Sequence, residues 1–188
     1  TGSLTLEQKR NAVIAFLLQK HRAMHENTWE WMAAQALLNG YVDVEGENYP
    51  KKRVDFGRDP ELTITVDWTD GATTSDSTFA DLYRGRQLVN EKSMSGSVIS
   101  TYVFGGDAWA QFVKVNREIL YGKGGLMDRN LGGSTTNVTR LWDGLKGVEY
   151  MGRVAGNNGQ GAMDIYVNTQ KFRDHENQSQ YMMPQNKV

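Results

Sequence analysis

The stretch "TLEQKRNAVIAFLLQKHRAMHENTWEWMAAQALLNG", residues 5–40, predicts one long α-helix. Large side chains recur along it every three or four residues, which is the spacing of one helical face. This face is formed by Val13, Leu17, His21, Met24, Thr28, Trp31, Met32, Gln35 and Leu38. We therefore expect one unbroken helix to dominate the first third of the chain.

Both ends of the predicted helix carry recognisable signals. The Thr5-Leu6-Glu7-Gln8 motif fits a capping box, and Asn39-Gly40 suits a left-handed carboxyl end. About 35 helical residues span roughly 50 Å, whereas a compact chain of this size is roughly 40 Å across. We expect neighbouring copies to complete the apolar face of the helix, although a two-domain monomer built along it would also accommodate its length.

Composition excludes several functional classes. The 188 residues contain no cysteine, so disulfides, thiolate metal sites and a cysteine nucleophile are ruled out. The 21 basic and 22 acidic residues interleave along the chain, and sequence-independent binding to nucleic acid is therefore disfavoured. No apolar run approaches the roughly 20 residues that span a bilayer. We expect no membrane association, an intracellular location and no cofactor.

Two units are predicted, over residues 1–70 and 71–188. Tyr41, Val42 and Val44 lead into a turn at Gly46 and Asn48, and residues 62–68 alternate apolar and polar side chains. This pattern predicts an elongated β-hairpin that completes the first unit. The polar stretch "TDGATTSDST", residues 69–78, breaks the periodicity and is interpreted as the joint.

The second unit has an α/β pattern. A helix around Phe79–Val89 precedes "SVISTYVF", residues 97–104, which is typical of a buried strand. Asp107 is expected to cap the next helix, whose predicted inner face comprises Trp109, Phe112, Val113, Asn116 and Leu120, with Gly122 ending it. Residues 147–156 and 162–172 predict two further strands, joined by a turn at Asn157, Asn158 and Gly159. The overall fold class is therefore α+β.

A glycine-rich loop is predicted between these elements. Thirteen of the 20 glycines lie between Gly105 and Gly161, and "GKGGLMDRNLGGSTTN", residues 122–137, contains little that could anchor a core. The loop lacks the spacing of a phosphate-binding loop and its Lys-Ser/Thr ending. We interpret it as an interaction loop.

Two histidines raise a metal-site hypothesis. His21 and His25 are four residues apart and would share one helical face, as a zinc-binding pair must. A helical zinc-protease motif, however, requires glutamate directly after the first histidine, where this chain has Arg22. Only His175 remains as a third imidazole, and no Gly-x-Ser-x-Gly hydrolase motif is present. We predict neither a metal site nor a catalytic site.

The order of several short motifs resembles the lambda head-protein family of tailed-phage major capsid proteins. These motifs are "NGYVDVEGE", "KRVDFGRD", a strand ending in tryptophan, "TYVFGGDAWAQF" and "YMMPQN". The resemblance covers nearly the whole chain, with Gly105-Gly106 standing where the family often has Asp-Pro. It implies a tailed-phage major capsid fold, in which the spine helix and hairpin form part of the peripheral domain and the α/β unit forms the axial domain.

The same resemblance implies a function and partners. The chain would be a structural subunit of a phage or prophage head that self-assembles into an icosahedral shell around DNA. Its partners would be copies of itself in pentamers and hexamers. Scaffold, decoration and portal proteins are further candidates, and DNA would be contacted only indirectly. The location would be the virion capsid, assembled in the cytoplasm of the bacterial host.

The resemblance also places a loop and suggests a missing part. The glycine-rich loop would face the capsomer axis, with Lys123, Asp128, Arg129 and Asn130 as candidate contact residues. The family carries an amino-terminal arm and an extended loop before the spine helix, so we expect the present chain to be a core fragment. Two alternatives stay open, namely a metal-dependent hydrolase using His21 and His25, and a small cytosolic binding module.

Overall fold

The computed structural model describes residues 5–46, 48–93, 99–122, 127–128, 148–155, 161–173 and 178–188. The chain forms two compact units, Thr1–Arg58 and Asp59–Val188. Each unit combines helix and strand, and the predicted α+β class is confirmed. The division falls before the polar stretch at residues 69–78, where the sequence had suggested the joint.

The first unit begins with helix α1, Leu6–Asn39, as predicted. The Thr5 hydroxyl accepts from the backbone N–H of Gln8, while the Gln8 side chain accepts from the backbone N–H of Thr5. Gly40 ends the helix with φ of 78°, a conformation that costs glycine little because it lacks a Cβ atom. The capping box and the glycine stop therefore lie where their motifs indicated.

A two-stranded hairpin completes the first unit. Strands β1, Tyr41–Gly46, and β2, Tyr49–Asp55, pair antiparallel, with Val42 opposite Val54. The predicted second strand at residues 62–68 is wrong, because that stretch forms a 3-10 turn at Pro60–Leu62 followed by extended chain outside any strand. All seven residues of strand β2 are exposed. Its sequence therefore shows no alternation of apolar and polar residues that would have predicted a strand.

The second unit contains a four-stranded sheet. Helix α2, Ser75–Ser93, precedes strand β3, Thr101–Gly105, and helix α3, Gly106–Tyr121. Strands β4, Met127–Asp128, β5, Val148–Val154, and β6, Met163–Asn168, complete the sheet in the order β3-β6-β5-β4. Strand β3 runs parallel to β6, and the other neighbours are antiparallel. Strands β7, Lys171–Arg173, and β8, Ser179–Tyr181, form a separate pair.

Aromatic packing explains why residues 59–70 belong to the second unit. Trp68 lies 5.8 Å from Phe112 and 6.4 Å from Phe104 between ring centroids, and its indole N–H donates to Asp81 of α2 at 2.9 Å. Lys92 of α2 pairs with Asp59 and Glu61 at 2.9 and 2.6 Å. These contacts fasten the extended segment to α2, so its alternating pattern reflects packing on a helix and not pairing in a sheet.

The core of the second unit lies between α2, α3 and the sheet. Its fully buried side chains include Phe79, Phe104, Phe112, Leu120, Val154 and Ile165. Two buried polar residues join the helices, since the Asn116 amide donates to the Thr78 hydroxyl at 2.9 Å and to the Phe112 carbonyl at 2.8 Å. The predicted inner face of α3 is thus confirmed at Phe112, Asn116 and Leu120, while Trp109 and Val113 are half-buried.

Candidate functional site

None of the residues of helix α1 is buried in the described part of the chain, and many of its large apolar side chains are exposed. At about 100° per residue, the exposed apolar residues of α1 are distributed around the whole helix and not along one face. Its exposed large apolar residues are Leu6, Val13, Ile14, Phe16, Leu17, Leu18, Met24, Trp29 and Leu37. Such a surface is typical of a helix that is covered in an assembly.

The hairpin is held by a charged cluster on its surface. Arg53 of β2 donates to both carboxylate oxygens of Asp43 of β1, at 2.7 and 2.9 Å, and Lys51 approaches the same carboxylate at 3.4 Å. The Arg53 guanidinium also lies 3.9 Å from the centroid of the Tyr41 ring. Hydrogen bonding by Arg53 is the main reason that the pKa of Asp43 falls to about 2.

We expect Arg53→Gln to raise the pKa of Asp43 from about 2 towards its ordinary value of 3.8. The pKa of Asp43 in the folded chain lies below its ordinary value. The stabilising contribution of the Asp43–Arg53 pair is therefore fully present above about pH 4 and is lost as the pH falls through about 2. An NMR titration of the Asp43 carboxyl carbon measures the shift. Lys52→Gln, which removes a cation from the same strand, is the control, and equal midpoints in the two variants would contradict the assignment to Arg53.

The amino end of α3 is capped by a distant part of the chain. The N-cap residue is Gly105, which has no side chain to cap the helix, and the predicted cap at Asp107 is wrong. Instead, the Gln185 side chain accepts from the backbone N–H of Gly106, and its backbone carbonyl accepts from the backbone N–H of Ala108, both at 2.9 Å. The Gln185 amide donates in turn to the Met183 and Asn168 carbonyls. We call residues 182–187 the capping segment.

The two glycines at this helix end make room for the capping segment. A Cβ atom on Gly105 would overlap the backbone of Gln185, and one on Gly106 would lie 2.8 Å from the Gln185 side-chain oxygen. The backbone N–H of Gly105 also donates to the carbonyl of Lys187 at 2.8 Å. Gly105-Gly106 therefore has a structural reason, which is close approach of the capping segment.

The candidate axis loop is only partly described. Lys123, Arg129 and Asn130 lie outside the described residues, as does the predicted turn at residues 157–159. Asp128 lies in β4, opposite Arg153 of β5. Helix α3 ends at Tyr121, and beyond Gly122 the next described residues, Met127 and Asp128, already pair with β5 in the sheet, so Asp128 belongs to a strand and not to a loop.

The histidine pair lies on an exposed part of α1. Both His21 and His25 are exposed, and Arg22 donates to Glu26 at 2.9 Å on the same helix. Within the described ranges, no group of three or more histidine, aspartate or glutamate residues could hold a metal ion. Among those residues there is also no helix with the length and apolar character needed to cross a membrane.

We expect the His21→Gln/His25→Gln variant to have the same background zinc content as the parent chain. The reason is that Arg22 occupies the position of the catalytic glutamate and no cysteine is present. Elemental analysis of protein purified without added metal measures this. Stoichiometric zinc in the parent chain that disappears in the double variant would overturn the prediction.

The sequence pattern missed two of these features. Gln185 and Gly106 are 79 residues apart, so local spacing gave no sign that they meet. The charged strand β2 contains Pro50 and three consecutive cations, Lys51–Arg53, which do not resemble a strand with one buried face. Only its position after β1 and a turn residue, Asn48 with φ of 62°, could have indicated it.

Comparison with known proteins finds a family model and a solved structure that match this chain. A family model described as phage major capsid protein E matches residues 1–180. A crystal structure described as that of a prophage capsid protein from E. coli CFT073 matches with a TM-score of 0.70 and 14% sequence identity. That match covers 98% of this chain and 51% of the other, so the chain spans about half the length of this relative. A search of curated protein sequences finds no match.

Proposed function

Because the chain belongs to the phage major capsid protein E family, we propose that it assembles with copies of itself into an icosahedral shell around DNA. The family and the fold are those of a structural head protein and not of an enzyme. The resemblance identified from the sequence motifs is thus confirmed at the level of phage capsid proteins. The shell, its symmetry and the packaged DNA belong to the proposal.

The observation that carries the proposal is the surface of α1. A 34-residue helix with no buried residue leaves large apolar side chains in solvent, which is costly in an isolated protein. Contacts between subunits of a shell would remove this surface from water. The second unit, by contrast, has a compact hydrophobic core of its own.

The two units fit different places in such a shell. We assign α1 and the hairpin to the peripheral domain and the α/β unit to the axial domain, with the domain limits at residues 70 and 71 kept as a proposal. The loop after α3, with Lys123, Asp128, Arg129 and Asn130, would then lie near the capsomer axis. The placement is supported by the elements on either side of the candidate residues, since α3, β4 and β5 all belong to the second unit.

The proposed partners are copies of this chain, arranged as pentamers and hexamers. Scaffold, decoration and portal proteins are further proposed partners, and DNA would be enclosed without specific contacts. The proposed location is the virion, after assembly in the bacterial cytoplasm. The overall balance of 21 basic and 22 acidic residues supports enclosure in preference to direct DNA binding, since it leaves a net charge of −1.

Expression of the complete gene that encodes this chain tests the proposal. With its neighbouring assembly genes present, we expect rings or closed shells in negative-stain micrographs and matching particles in light scattering. The 188-residue chain alone is the comparison, and it should remain a monomer or small oligomer, since lasting contacts commonly bury well above about 1,000 Å². A complete gene product that stays monomeric at all concentrations, salt conditions and partner combinations would refute the proposal.

A further inference from the structure

One row of side chains on α1 has a regular spacing and a single sign of charge. Positions 6, 10, 13, 17, 20 and 24 follow the alternating steps of four and three residues that place side chains along one helical line. We call this row the cationic stripe; its members are Leu6, Arg10, Val13, Leu17, Lys20 and Met24. Its apolar members are between 45 and 86% exposed.

The cations of this stripe are not neutralised within the described part of the chain. Neither Arg10 nor Lys20 takes part in an ion pair there, whereas Arg22, on the opposite side of the helix, pairs with Glu26. Arg10 and Lys20 are ten residues apart, or about 15 Å along the helix axis. A partner surface should therefore combine apolar side chains with carboxylates over a similar length.

A second α1 helix does not meet this requirement. Parallel pairing in register would place Arg10 against Arg10 and Lys20 against Lys20. Antiparallel pairing centred on the stripe would place Arg10 against Lys20. Both arrangements oppose like charges, which disfavours pairing between these helices.

The second unit has an acidic surface of suitable composition. Residues 59–83 contain no lysine or arginine, and we call residues 59–81 the acidic segment; its carboxylates are Asp59, Glu61, Asp67, Asp70, Asp76 and Asp81. Asp67 and Asp70 accept hydrogen bonds only from nearby loop N–H and O–H groups, so no described cation neutralises them. Val66, which directly precedes Asp67, is 43% exposed. Asp59 and Glu61 already pair with Lys92, and the extended chain from Thr63 to Asp67 spans at most about 17 Å.

We propose that the cationic stripe of one copy docks on the acidic segment of a neighbouring copy. The inference rests on the proposed assembly function and names one contact within it. Arg10 and Lys20 would face the carboxylates around Asp67 and Asp70, and the apolar members of the stripe would cover Val66. Because the two surfaces differ, each copy would offer both, and repetition of the contact would generate a ring or an open chain.

A charge-swap experiment on the 188-residue chain tests this contact. Arg10→Glu and Asp70→Arg should each weaken self-association about tenfold or more, as like charges then meet, and the two changes together should restore it. Arg22→Glu is the matched control, because it makes the same change of charge on the other side of α1. Sedimentation velocity from low to high salt measures association, and circular dichroism verifies that each variant is folded.

The outcomes separate this contact from the proposed function. Equal weakening by Arg10→Glu and Arg22→Glu, no restoration by the swap, or a parent chain that is monomeric even at low salt would each overturn the docking. If the complete gene product still forms shells, the proposed function stands despite that result. If it forms no particles under any condition, the proposed function itself fails.

Discussion

Replacing Phe112 by alanine is expected to lower the free energy of unfolding of the second unit by about 3–5 kcal/mol. Phe112 is fully buried, and its ring lies 5.4–5.8 Å from the rings of four other aromatic residues, Trp68, Phe79, Phe104 and Trp109. Removing the ring would leave a cavity where α2, α3 and the segment before α2 meet. A domain with ordinary stability of about 5–15 kcal/mol would lose a large part of it.

Denaturant unfolding of the second unit, followed by tryptophan fluorescence, measures this loss. Phe16→Ala is the matched control, because Phe16 is also helical but 65% exposed, and it should change the midpoint little. An unfolding midpoint in Phe112→Ala equal to that of Phe16→Ala would contradict the position of Phe112 at the centre of the core.

The second large effect is expected at Gly105, where alanine should destabilise the second unit by about 1–3 kcal/mol or more. The backbone at Gly105 has φ of −72° and ψ of 160°, which alanine adopts readily, so the cost does not come from the backbone. It comes from the added methyl group, which would overlap Gln185. Displacing the capping segment would release the N–H groups of Gly105, Gly106 and Ala108.

Hydrogen exchange at Gly106 and Ala108 tests this mechanism together with the unfolding midpoint. Both amides should exchange faster in Gly105→Ala, because they lose their acceptors on Gln185. Gly71→Ala is the control, since a methyl group there would meet nothing within 4 Å. Protection of both amides at the parent level in Gly105→Ala would show that the capping segment accommodates the methyl group, and the explanation for this glycine would then be wrong.

Local signals predicted the elements of this fold well. Thr5, Gln8 and Gly40 act within one helical turn of their partners, so the limits of α1 could be derived from neighbouring residues. The same holds for α3, whose inner face follows helical spacing up to Gly122. The apolar residues of β3, β5 and β6 also indicated strands, because their burial follows from the strands' own composition.

Contacts between distant residues were beyond such reasoning. Residues 62–68 alternate like a strand, but the structure packs Trp68 against Phe112 and ties Asp59 and Glu61 to Lys92 of α2. Strand β2 pairs through its backbone while its side chains remain in solvent, so composition did not reveal it. The cationic stripe could have been found from its spacing, but its exposure required the structure.

The capping segment has a consequence for the order in which the protein folds during synthesis. Gln185 follows Gly106 by 79 positions, which a ribosome covers in roughly 4–16 s at 5–20 residues per second. Until then the amino end of α3 lacks its acceptors, and β3 also waits for its parallel neighbour β6. Helix α1, which needs only local hydrogen bonds, can form as soon as it leaves the exit tunnel. For several seconds the nascent chain would present apolar surface from both units, and this is the interval in which chaperones would meet it.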